Sequence, residues 1–175
     1  MENKNNKTII IAEAGVNHNG SLKVAKKLID KAKKAKVDFV KFQIYKAENL
    51  ATSHAEKAKY QKRNSKKKET QLNLLKKLEL SFKDHSALIK YCKIKRIKYM
   101  ASIFDLESLS FFKNKLNIIK IPSGEITNFV LLAEIAKLKK KIILSTGAST
   151  IKEISSAFKF LLKKKVKKNN LSILH

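Results

Sequence analysis

The chain of 175 residues contains one cysteine, one proline, four glycines and no tryptophan. A single thiol, Cys92, excludes an internal disulfide and suits a reducing, cytoplasmic setting. Cys92 itself reads as a buried helix residue. No run approaches the ~18 consecutive apolar residues that a membrane-spanning helix needs, so no membrane partner is expected. The polar stretch Met1 to Lys7 is followed by an apolar run of only Ile9 to Ala12. That is too short for a secretory leader. No G-x-G-x-x-G fingerprint and no G-x-x-x-x-G-K-[ST] phosphate loop occurs. No histidine–carboxylate set has metal-ligand spacing, so no metal ligand is expected within the chain.

Acidic residues are also scarce: 14, against 40 basic residues and a net charge of +26. Such a balance raises the possibility of a polyanion-binding domain. Only Arg63 and Arg96 are arginine, which leaves 38 lysines spread along the whole chain. Base reading and bidentate phosphate recognition favour arginine. Lys, Asn and Ile are all encoded by A/T-rich codons, and drift toward them explains the charge without a partner. Apolar residues reach 43%, close to the roughly 45–50% of globular domains, so a core can form.

Apolar periodicity alternates between strand and helix character. Thr8–Ala12, Val37–Ile44, Ile97–Ile103, Asn117–Ile121, Lys141–Leu144 and Leu171–Leu174 read as strands. Ser21–Lys36, Gln71–Leu78, Asp84–Lys95, Asp105–Lys113, Phe129–Leu138 and Thr150–Lys164 read as helices. Ser21, Asp84, Asp105 and Thr150 are the expected N-caps. Tyr45–Thr70 is a long, polar connection with some helix. The order implies a parallel sheet with right-handed crossovers. With no nucleotide fingerprint, the better fit is an α/β fold of the (β/α)₈ barrel type, of which residues 1–175 supply about the first six strands.

The scarce residue types concentrate where strands end. Gly15, Gly20, Pro122, Gly124 and Gly147 all follow strands, as if those turns need positive φ or close backbone approach. The same ends carry Glu13, Asn17 and His18; Lys41 and Gln43; Ser102; Lys120, Ser123 and Glu125; and Ser145. In barrels this rim builds the active site. Lysines and hydroxyls there suit a phosphate and a carboxylate. Glu13 and Glu125 could orient a polyol or move protons. His18 is either a ligand-binding residue or a turn cap. His54 and His85 read as surface histidines.

Four runs in order, IAEAGVNHNGSL, VKFQIYKAENL, KIPSGEITN and IILSTGAST, resemble the N-terminal part of the bacterial sialic acid synthase family, from about Ile9 to His175. The start IAEAGVNHNG and the stretch KAENLATSHAEKAKYQ are nearer its neuraminate/legionaminate branch. The resemblance implies condensation of phosphoenolpyruvate with N-acetylmannosamine or a diacetamido hexose, giving N-acetylneuraminate or a related nonulosonic acid. Lys41, Ser102, Lys120, Ser123 and Ser145 fall where that family binds phosphoenolpyruvate. Glu13, Gln43 and Glu125 fall at its reacting groups, and Asn64 at a sugar-contacting position. Where the family usually reads S-T-P-F, this chain reads Ala101-Ser102-Ile103-Phe104. By the same resemblance, the histidines that hold a divalent metal, usually manganese, lie beyond residue 175. So do the last two strands and a small antifreeze-like domain, which contributes an arginine to the sugar across a homodimer. Residues 1–175 alone are then expected to be inactive. The rivals are a related phosphoenolpyruvate-aldose condensing enzyme, a truncated inactive product and a non-enzymatic basic domain.

The lysine-for-arginine bias predicts weak, sequence-indifferent nucleic-acid binding at physiological salt in a filter-binding assay. Sequence-specific affinity tighter than roughly 10⁻⁸ M would contradict it.

Overall fold

A computed structural model describes residues 8–53, 55, 70–147 and 149–175. The chain runs β1 (Ile11–Gly15), α1 (Leu22–Lys34), β2 (Phe39–Ile44), α2 (Ala47–Leu50), α3 (Gln71–Leu78), α4 (Phe82–Ile94), β3 (Lys98–Ile103) and α5 (Leu106–Phe112). It continues through β4 (Ile118–Ile121), α6 (Phe129–Lys137), β5 (Lys141–Ser145), α7 (Ile151–Lys163) and β6 (Leu171–Leu174). The six strands pair in chain order, each parallel to the next. Six parallel strands with alternating helices form a half-barrel, in line with the expected incomplete (β/α)₈ barrel.

Local chemistry explains most element boundaries. Ser21, Asp105 and Thr150 each accept a backbone N–H from the first turn of the helix they precede. Such a cap is worth about 1 kcal/mol. Asp84 is a correction. Ser81 is the N-cap of α4, and Asp84 is the third helical residue, whose carboxylate reaches back to Ser81 in a capping box. The motif therefore starts α4 three residues earlier than a cap at Asp84 would.

Strand alternation divides the side chains between two faces. Val40 and Phe42 of β2 pack under α1 and α4 with Ala25, Ile29, Leu88 and Cys92. Ile44, Ala101, Ile103, Ile119, Ile121, Ile142 and Leu144 pack under α5, α6 and α7. The core thus lies between sheet and helices, and burying each large aliphatic or Phe side chain contributes about 1.5–3 kcal/mol. Cys92 is buried as expected, and burial pushes its thiol up to about 12.

Two of the strand-end glycines have a structural reason and two do not. Gly15 and Gly20 have φ of 53° and 73°. A side chain at Gly20 would also press on the Lys77 carbonyl. Gly124 and Gly147 have open space around them and ordinary φ, so the expectation of a backbone requirement fails there.

The two outer strands of the sheet carry exposed apolar groups. Ile173 and Leu174 of β6 are 51% and 46% exposed, and Ile9 and Ile10 before β1 are 61% and 55% exposed. Unpaired strand edges beside such groups favour association. The 175-residue chain, expressed as such, is expected to elute in size-exclusion chromatography well above the position of its 19.9 kDa monomer. Clean monomeric elution at micromolar concentration would contradict this.

Candidate active site

Because Phe42, Ala101, Ile119 and their alternate neighbours face the helices, the intervening Lys41, Gln43, Ser102 and Lys120 face the barrel interior. The parallel register then aligns them. Glu13 of β1 lies beside Lys41 of β2. Gln43, Ser102 and Lys120 form a single row across β2, β3 and β4. Ile103 sits in regular register with Ile44, so the strand continues through the position where the related pattern carries proline.

The end of β1 is bent toward this row. Register slips between Glu13 and Gly15, leaving Ala14 outside the ladder as a bulge. Bulges of this kind re-aim side chains near sites. Glu13 is half-exposed, and its carboxylate pairs with the Lys41 ammonium. Lys41 also donates to Ser102 Oγ at 3.3 Å. Lys41, Ser102 and Lys120 are all buried, at 7%, 2% and 9% exposure. A buried ammonium needs such partners, because desolvation disfavours its charge.

Lys120 carries that penalty more visibly. Burial first, and then the neighbouring Lys41 charge, push its ammonium down to about 8, against a smaller opposing pull from Glu13. Two buried lysines with one carboxylate, paired to Lys41, leave net positive charge on this face, and an anion there would compensate Lys120 directly.

The remaining candidates line the same rim. Glu13 Oε1 and Gln43 Nε2 both crowd the place a side chain at Gly15 would take, at 3.2 and 3.8 Å from an added Cβ. Ser145 stands two residues beyond Ile143, the strand neighbour of Lys120. Ser123 and Glu125 form a single 3₁₀ turn after β4. Asn128 Nδ2 donates to the Glu125 carboxylate at 2.8 Å and so orients it. Ser149 Oγ donates to the Ser123 carbonyl at 3.4 Å, tying the β4 and β5 ends together. The structure thus clusters Glu13, Lys41, Gln43, Ser102 and Lys120, and sets Ser123, Glu125 and Ser145 at the adjoining edge. Asn64 and His54 lie outside the described residues.

One histidine takes one of its two expected roles, and another departs from expectation. His18 is a turn cap: its Nδ1 accepts the Gly20 N–H at 3.1 Å. Burial lowers its pKa. His85 is a correction, since it is 1% exposed rather than on the surface. Its Nδ1 lies 2.9 Å from the Tyr99 hydroxyl, and burial drives its pKa down to about 3. Its spacing to Leu88 and Cys92, which share the buried side of α4, was the available signal.

Among the described residues, no group of three or more His, Cys, Asp or Glu could hold a metal ion, and no helix is long and apolar enough to cross a membrane. A cavity of about 620 Å³, lined by Lys93, Lys98, Asn117 and Lys141 among others, opens at the opposite, amino-terminal strand ends. It contains none of the convergent groups, so volume alone does not mark the site.

Comparison with known proteins shows which family the chain resembles. A model described as "NeuB family" matches residues 28–175. The chain is 50% identical over 97% of its length to N,N'-diacetyllegionaminic acid synthase of Campylobacter jejuni, covering 51% of that protein. It is 45% identical over 85% of its length to the enzyme of the same name from Legionella pneumophila, covering 42% of it. The chain therefore spans about half the length of these curated relatives. The crystal structure of a sialic acid synthetase from Leptospira borgpetersenii, in complex with citrate, superposes with a TM-score of 0.82 at 33% identity, over 97% of this chain and 54% of that one.

The lowered Lys120 pKa sets a pH dependence. Below about 8 the ammonium is present and attracts an anion; as pH rises through about 8 the proton and the attraction are lost. Affinity for inorganic phosphate, measured by calorimetry, is expected to fall across pH 7.5–9, roughly tenfold per unit above the pKa. Lys120→Met should remove this dependence. An unchanged pH profile in that variant would contradict the assignment.

Proposed function

The chain belongs to the NeuB family, and from that premise we propose that its strand-end rim is the phosphoenolpyruvate side of a nonulosonic acid synthase active site. The reaction joins phosphoenolpyruvate to N-acetylmannosamine or a diacetamido hexose, yielding N-acetylneuraminate or a related acid such as N,N'-diacetyllegionaminate. The observation that carries this reading is the pair of buried lysines, Lys41 and Lys120, on one face with Ser102 and a single carboxylate, Glu13.

The chemistry needs positioning more than covalent participation. Phosphoenolpyruvate carries a carboxylate and a phosphate. Lys41 and Lys120 neutralise these groups, while the hydroxyls of Ser102, Ser123 and Ser145 fix their orientation. C3 of the enol then attacks the open-chain aldehyde of the sugar. Water adds at C2, and the phosphate leaves, which balances one phosphoenolpyruvate, one aldehyde and one water against one acid and one phosphate. In this reading Glu13 and Gln43 line the reacting carbons. Glu125 acts on the sugar side, because a carboxylate against the phosphate would repel it. A carboxylate in that place can hold the sugar hydroxyls or move a proton to the aldehyde oxygen. Asn64 completes the reading as a sugar contact.

A divalent metal, manganese in the reading by resemblance, is assigned to histidines beyond residue 175. The described residues offer no ligand set that fits it, and no step above runs through it. A homodimer in the cytoplasm belongs to the same proposal; the lone cysteine supports that compartment.

Lys120→Ala is expected to weaken phosphoenolpyruvate binding to the chain by roughly 1.5–3 kcal/mol, the worth of a hydrogen bond to a charged group. Lys41→Ala should weaken it similarly, having left Glu13 without its partner. Isothermal titration checks both. Equal affinity in the unmodified chain and both variants, or no binding by the unmodified chain, would refute the proposal.

A further inference from the structure

In so acid-poor a chain, three carboxylates converge on one short segment that the chemistry above does not use. Asp105, the N-cap of α5, is 7% exposed. Its Oδ1 accepts the Ser108 N–H at 2.8 Å and Asn49 Nδ2 at 3.3 Å. Its Oδ2 accepts the Ser108 hydroxyl at 2.7 Å and the Lys46 N–H at 3.0 Å. Glu79, between α3 and α4, accepts the Ala47 N–H at 2.8 Å and the Lys46 ammonium at 3.1 Å. Glu107 accepts Asn49 Nδ2 at 3.2 Å. The helix that receives these bonds, α2, has no side-chain cap of its own.

We propose that Asp105, seconded by Glu79, is a positioning residue that clamps the segment after β2 to the end of β3 and thereby holds Lys41, Gln43 and Ser102 in place for the anionic substrate. Asp105 follows Ser102 by three residues, and Lys46 follows Gln43 by three. The clamp therefore ties the two strands just beyond the row they share. A backbone bond from the Phe104 N–H to the Ile44 carbonyl, at 3.3 Å, is the last rung below it. Without the clamp, the continuation of β2 through Lys46 would lose its ties to the end of β3, and the separation of Lys41 and Ser102 would no longer be set. All four groups on Asp105 are donors. Only a carboxylate offers acceptors to all of them; an amide would turn an N–H₂ group toward two of them. Tyr45 adds to the same arrangement: its hydroxyl donates to the Leu75 carbonyl at 3.2 Å, holding the segment to α3.

This inference rests on the reading of the rim as a phosphoenolpyruvate site, and the test separates the two. Phosphoenolpyruvate affinity is measured by calorimetry on the 175-residue chain, with amide hydrogen exchange on the same samples. In Asp105→Asn, exchange at the Lys46 amide should rise at least tenfold while the central amides of β3 and β4 keep their protection. Affinity should fall about five- to twentyfold. Glu79→Gln should release the Ala47 amide and lower affinity less, and it serves as the second variant if Asp105→Asn does not fold. Glu107→Gln, whose carboxylate touches only the Asn49 side chain among these, should leave affinity unchanged. A purely structural role would lower thermal stability but leave the affinity of the folded protein within twofold of the unmodified chain, and that result overturns the inference. So does continued protection of the Lys46 amide in Asp105→Asn. Failure of the unmodified chain to bind phosphoenolpyruvate overturns the reading of the site and this inference with it.

Discussion

A lysine ammonium inside a protein must be paired, and the buried charge of Lys41 organises the functional face around it. Its two partners come from different strands: the carboxylate of Glu13 from β1 and the hydroxyl of Ser102 from β3. Each partner is available only because the strands are parallel and in register. The bulge at Ala14 lets the end of β1 bend at the point where Glu13 must reach Lys41. Displacing β2 by one residue would turn Lys41 into the helix-side core and Phe42 into the barrel. The pairing and the core therefore specify one another.

Lys120 shows why the pairing is incomplete by design of the site. Glu13 is committed to Lys41, so Lys120 sits buried against a like charge. That arrangement is unfavourable in the free chain and becomes favourable when an anion arrives. Strained electrostatics of this kind are common at binding and catalytic positions. Two acids far from the rim serve ordinary structural ends. Glu153 closes the capping box of α7, and Asp30 pairs with Lys95 between α1 and α4.

Much of the fold was readable from local pattern. The strand and helix order follows from apolar periodicity, and Ser21, Asp105 and Thr150 cap as their chemistry predicts. Gly15 and Gly20 occupy left-handed backbone, as strand-end glycines often do. The misreadings have local causes too. Asp84 looked like a cap because the Ser81-to-Asp84 capping box contains two cap-forming residues. His85 looked exposed because histidine is polar, although its helical spacing placed it with Leu88 and Cys92. Glycine scarcity hid another regularity. Lys36, Arg96, Lys139 and Lys165 take positive φ just past the ends of α1, α4, α6 and α7, positions that glycine usually fills.

Residue types and their spacing determined, without coordinates, that the chain alternates strands and helices and that its polar groups gather at one set of strand ends. Periodicity is a local property, and a motif stands in one stretch of chain. Tertiary structure alone decided which of those groups meet. That Glu13 pairs with Lys41 rather than Lys120, that Ser102 is the hydroxyl within its reach, and that Asp105 and Glu79 converge on one helix from distant parts of the chain all depend on register between strands and on helix packing. Those relations join residues about 30 to 60 positions apart. They arise from the burial of a shared core, a global free energy that no single stretch of sequence displays.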